Sequence, residues 1–187
     1  MNIRSITALF GLCLCTSVVP MASAASENVE ADGRHDFDFA HGSWAVHNRR
    51  MLKALTGSPQ WEEFDASVRC WPVLAGVANQ DEYITPHRPG VVAMTLRLFN
   101  PKTKLWTIHW IDSRTPVMDA TPVVGRFEGD TGIFESADTY DGKPIIVRYI
   151  WSRSKSEHPR WEQAFSADNG KTWEINWVMD FTRVAAK

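Results

Sequence analysis

The sequence predicts an all-β fold: a single antiparallel up-and-down β-barrel of about ten strands. Three observations carry that expectation. Apolar and polar residues alternate with a period of two through stretch after stretch, the mark of strands with one buried face. Short clusters of turn-forming residues join the stretches, so successive strands must be antiparallel neighbours. Only Met51 to Leu55 and a turn at Phe37 to Ala40 read as helix. A meander of this kind leaves unpaired edges unless it closes on itself or packs as two sheets.

The chain opens on a segment with the three-part layout of a secretory signal, residues 1–24. Arg4 is the positive start. The apolar run from Ile6 to Pro20 is too short to span a bilayer, and Ala22-Ser23-Ala24 is a small-x-small cleavage pattern. A periplasmic or secreted protein is therefore expected, with no membrane span after cleavage. Cys13 and Cys15 each follow a Leu, whereas a lipid-anchored cysteine wants a small residue before it. Cleavage leaves Cys70 as the only cysteine, so no internal disulfide is expected and Cys70 reads as a small buried hydrophobe. A polar linker over residues 25–34 leads to the barrel domain, residues 35–187.

Strands are expected over about 43–51, 61–71, 77–85, 91–99, 105–113, 122–128, 132–138, 143–153, 159–166 and 172–184. In the first, Trp44, Val46, Asn48 and Arg50 share the inward face and His47 turns outward. In the third, Asn79 and Asp81 occupy alternate positions. Val92, Met94, Leu96 and Leu98 form one apolar face of the fourth. A hairpin across Asn100-Pro101-Lys102-Thr103 is expected to set that face beside Trp106, Ile108, Trp110 and Asp112 of the fifth. Gly129-Asp130-Thr131-Gly132 joins the sixth and seventh strands, and Asp141-Gly142 closes the next hairpin. The eighth strand is ambiguous, since Val147, Tyr149 and Trp151 compete with Ile146, Arg148 and Ile150 for the interior. In the ninth, Gln163 lies between Trp161 and Phe165. In the last, Trp173, Ile175, Trp177, Met179 and Phe181 are expected inside, with Arg183 on the same parity.

Removing the signal leaves about 160 residues, one domain of ordinary size. The full chain has a formal net charge of −2, and no basic stripe points to nucleic acid or an anionic membrane. Nine Trp is a heavy load, and such rings line either a tight core or a pocket for a flat, apolar ligand.

His41-Gly42-Ser43-Trp44 resembles the start of the lipocalin and calycin barrels. In those barrels the Trp packs beneath an Arg of the last strand, and Trp44 and Arg183 match the two positions. Ten strands suit the fatty-acid-binding and nitrobindin branches better than the eight-stranded lipocalins. Three stretches are similar to a bacterial family of calycin-like domains of unknown function: FDFAHGSWAVHNRR, MTLRLFNPKTKLWTIHWIDSR and RWEQAFSADNGKTWEINWVMDFTRV. The resemblance runs from about Asp36 to Val184 and implies the fold, but no activity.

FSADNGKTW also resembles the Asp-box repeat of sialidase propellers. One copy in a chain too short for a propeller reads instead as a hairpin device, with Asp168 accepting backbone hydrogen bonds and Gly170 supplying positive φ. A nitrobindin-like haem needs an inward His, yet the last two strands contain none and His47 turns outward. Zinc spacings, a nucleophile elbow and a Gly-rich phosphate loop are absent too. No cofactor and no metal are expected.

The candidate ligand-binding residues are Asn48, Arg50, Asn79, Asp81, Trp110, Asp112, Arg148, Gln163 and Trp177. Arg50 or Arg148 beside interior carboxylates is either a buried ion-pair network or the anchor for a ligand carboxylate whose apolar body lies on Trp110 and Trp177. The preferred reading is a barrel that binds a small, partly apolar molecule. The alternative is a small isomerase or hydrolase using Asp81 or Asp112 as general base. A protein-interaction module stays open as a third.

Overall fold

The computed structural model describes residues 32–57 and 59–185. The signal segment and residues 25–31 of the linker lie outside the described residues. The linker's last residues are folded onto the barrel: Trp106 Nε1 donates to Gly33 O at 2.9 Å, and the Asp32 carboxylate pairs with Arg34 and Lys104.

Ten strands form one closed antiparallel barrel. They are β1 (Gly42–Met51), β2 (Trp61–Val73), β3 (Ala78–Ile84), β4 (Val92–Asn100), β5 (Leu105–Asp112), β6 (Val123–Glu128), β7 (Thr131–Tyr140), β8 (Lys143–Ser152), β9 (Arg160–Ser166) and β10 (Glu174–Arg183). Each pairs with the next, and β10 returns to β1, so no edge is left open. The expected strands and their order are all present. Two short 3-10 turns, Asp38–Ala40 and Leu74–Gly76, complete the described elements.

Closure places Trp44 opposite Arg183 in the β1–β10 register. The Arg183 guanidinium lies 4.0 Å from the indole centroid, and its two terminal nitrogens donate to the carbonyls of His41 and Phe39. Trp44 is 2% exposed and donates from Nε1 to Ala40 O at 2.8 Å. Below it, Phe37 is fully buried and meets Trp106 and Phe127 edge to face, both with centroids 5.0 Å apart. This aromatic plug closes one end of the barrel.

The β9–β10 hairpin is held as its sequence suggests. Asp168 accepts from the backbone N–H groups of Lys171 and Thr172 and from the Thr172 hydroxyl, while Gly170 has φ +85°. These donors hold the Asp168 carboxyl down at about 2.

Two strands differ from their expected facing. The loop 101–104 sets Asn100 opposite Leu105, so odd-numbered residues of β4 face even-numbered residues of β5. The interior of β4 is therefore Ala93, Thr95, Arg97 and Phe99, and Val92, Met94, Leu96 and Leu98 turn outward. In β10 the register shifts between Ile175 and Trp177. The bulge buries Asn176 and turns Ile175 out to 40% exposure, so Trp173 also leaves the interior. Trp173 packs outside instead, with its Nε1 on Gly170 O and the Arg148 guanidinium 3.5 Å from its ring.

Candidate functional site

The barrel encloses a cavity of about 230 Å3. Phe39, Ala40 and Trp44 form its floor beside Pro159, and Trp151, Trp161 and Tyr149 wall one side. These positions follow from β8 and β9: Val147 and Trp151 are buried on the inward parity, and Tyr149 pairs across the ladder with Gln163. Gln163 lines the cavity and donates from Nε2 to Asn176 Oδ1 at 2.8 Å. Burial among rings raises the pKa of the Tyr149 hydroxyl, which makes no hydrogen bond among the described residues. It is a free polar handle in an otherwise apolar wall.

On the opposite wall, β3 and β4 bring a buried ion pair together. Arg97 Nη2 lies 2.7 Å from Asp81 Oδ2, and both side chains are 6% exposed. Arg97 also donates to Asn79 Oδ1 at 2.9 Å, while Asp81 Oδ1 accepts from Thr95 N at 3.1 Å. Cys70 is free and buried beside this pair, and burial pushes its thiol up to about 11. The charges are thus paired, as buried charges must be, although Arg97 Nε has no hydrogen-bond partner among the described residues.

Asn48 organises the upper part of the cavity. Fully buried, it accepts at Oδ1 from Tyr83 Oη at 2.9 Å and from Trp177 Nε1 at 3.0 Å. Those bonds orient both rings, and Trp177 meets Trp110 and Trp161 edge to face. Tyr83, Trp110 and Trp177 line the cavity on one side and, on the other, a smaller vestibule of about 90 Å3.

The vestibule adds charged groups to an aromatic lining. Arg50 pairs with Glu62 and lies 5.4 Å from the Trp177 ring. Arg114 pairs with Asp112 and, with the backbone N–H groups of Arg114 and Thr115, holds the Asp112 carboxyl at about 2. Arg88, from the loop between β3 and β4, lines the same space.

Among the residues proposed from sequence, Asp81, Trp110, Gln163 and Trp177 line the cavity, and Arg50 and Asp112 line the vestibule. Asn48 and Asn79 support these walls by hydrogen bonds. Arg148 is a correction: inward Val147 and Tyr149 flank it, so it faces outside and pairs with Glu135 beneath its stack on Trp173. Sequence reasoning missed Arg97, hidden by the wrong β4 facing, and Tyr83, whose parity with Asn79 and Asp81 could have found it. Arg88 gave no sequence signal, because it sits in a loop without periodicity.

Fold and cavity define a lipocalin-like barrel with an internal aromatic chamber. The solved structure of an S-type phycobiliprotein lyase, CPES, from Guillardia theta is similar, with a TM-score of 0.51 at 12% identity. The match covers 83% of this chain and 97% of that one. No family model matches the chain, and no curated protein matches it.

Proposed function

We propose that the barrel binds a small, partly apolar molecule in its aromatic cavity. The observation that carries this reading is the chamber of about 230 Å3 between Trp110, Trp151, Trp161 and Trp177, with Tyr149 and Gln163 as polar handles. Its size is below that of a drug-sized site, roughly 300–1,000 Å3, and suits a compact ring system. The likeness to a phycobiliprotein lyase barrel is consistent with a small ligand. The catalytic alternative has less to support it. Asp81 is bound to Arg97 and Thr95, and a carboxyl held at about 2, as in Asp112, is a weak base at neutral pH.

The test is a titration with N-phenyl-1-naphthylamine, a neutral apolar probe, read by quenching of Trp emission. One probe per chain is expected. Val68→Trp, which fills the cavity from a lining position, should abolish that binding in a folded protein. Equal binding to the filled variant would place the probe elsewhere and defeat the reading. Export is part of the proposal and rests on the signal-like layout of residues 1–24. An intact mass beginning at Ala25 in a periplasmic or secreted fraction tests it.

A further inference from the structure

The vestibule above the cavity has three guanidiniums against two carboxylates, Glu62 and Asp112. Three guanidiniums line it, those of Arg50, Arg88 and Arg114. Arg50 has Glu62, which also meets His87 Nε2 at 3.1 Å, and Arg114 has Asp112. Arg88 has no ion-pair or side-chain hydrogen-bond partner among the described residues, although it is partly buried. Burial first, and then the Arg50 and Arg114 guanidiniums, lower its pKa, while Glu62 and Asp112, each already committed to its own partner, pull the other way. The wall below it is Tyr83, Trp110 and Trp177, the same rings that bound the cavity. A cation without a direct partner among the described residues thus stands over an aromatic chamber.

The loop that carries Arg88 is built to hold it there. Pro86 and Pro89 flank it and fix φ at two of its neighbours. Arg88 N donates to Thr85 O at 3.2 Å, and Val91 N donates back to Arg88 O at 3.1 Å. Thr85 is tied in turn to β2, through its hydroxyl on Asp65 O at 2.6 Å. The backbone beneath Arg88 is ordered before any ligand arrives, which lowers the cost of binding.

We infer that the ligand is an anionic amphiphile, with a flat apolar body against Trp110 and Trp177 and its carboxylate or equivalent anion on Arg88 at the vestibule. This rests on the binding reading above and adds the charge and the direction of the ligand to it. An anion at this point relieves the repulsion among the three guanidiniums. It does so without displacing Glu62 or Asp112 from their own partners. Guanidinium is also suited to a planar carboxylate, which it grips with two parallel N–H donors.

A matched pair of probes tests the inference: 1-anilinonaphthalene-8-sulfonate and N-phenyl-1-naphthylamine share one ring system and differ in the sulfonate. The intact chain should bind the sulfonate the more tightly, and raised salt should narrow the difference. Arg88→Ala should weaken the sulfonate roughly tenfold, as loss of a charged contact at a partly wet site does, and leave the neutral amine within about twofold. Arg126→Ala removes an equal charge at the closed end, beside the β6–β7 turn, and should change neither. If Arg88→Ala leaves the sulfonate unchanged, or weakens both probes alike, the anion site is wrong while the cavity reading survives. If neither probe binds the intact chain, the cavity reading fails and takes this inference with it.

Discussion

Neutralising both halves of the Asp81–Arg97 pair should cost clearly less than the sum of neutralising each alone. The pair lies in the barrel wall with both side chains 6% exposed and 2.7 Å between Nη2 and Oδ2. Asp81→Asn keeps an acceptor for Thr95 N but leaves a buried guanidinium with no counter-charge, relieved by Asn79, the Cys70 sulfur and the rings of Phe37 and Trp151, at 5.1 and 6.0 Å. Arg97→Met leaves a buried carboxylate with a single backbone donor. Each change should cost about 3–5 kcal/mol, the usual penalty for an uncompensated buried charge. That is a large share of the roughly 5–15 kcal/mol that holds a domain folded. The double variant has no charge to strand, so its cost should fall at least about 2 kcal/mol short of the sum of the singles. Urea unfolding followed by circular dichroism and by Trp emission measures all four proteins, and the two signals must coincide for the cycle to be valid. Additive costs, or singles below about 1 kcal/mol, would show that the pair is wet and that the wall is not as described.

Two further outcomes follow from the closed end and the β9–β10 turn. Trp44→Ala should lower stability by about 3–5 kcal/mol, since the indole is buried, bonded to Ala40 O and covered by Arg183; a loss below about 1 kcal/mol in the same unfolding assay would contradict that burial. Asp168 has its pKa depressed from 3.8 to about 2 in the folded chain, so its contribution to stability is complete above about pH 4 and is lost as pH falls toward 2. Asp168→Asn should therefore flatten the acid side of the stability profile, and an unchanged slope would deny Asp168 that role.

The barrel was legible in sequence because most strands have one apolar face and end in turn residues with a single reading. Trp44, Val46 and Asn48 on β1, and Trp106, Ile108 and Trp110 on β5, needed nothing more than parity. β4 misled because its outer face is more apolar than its inner one: Leu96 and Leu98 lie outside while Arg97 lies within. A buried Arg is an improbable reading until Asp81 and Asn79 are seen opposite it, and those partners come from another strand. The β10 bulge was hidden for a related reason, since one extra residue at Asn176 leaves no mark on the alternation on either side of it. Arg88 became visible only through what surrounds it.

The adjacency of β1 and β10 also sets the order in which the molecule can be finished. The hydrogen bond from Arg183 to His41 spans 142 residues, and no chamber is closed until the last strand is in place. Pairings so remote in sequence slow the search for the native state, because long loops must be ordered before they gain any contact. During synthesis the first strand can pair with β2 early on one side, while its other side waits for the ten residues of β10. A chain halted before Glu174 would carry two bare edges, on β1 and β9. Such a fragment would be a template for intermolecular strand pairing and not a smaller barrel.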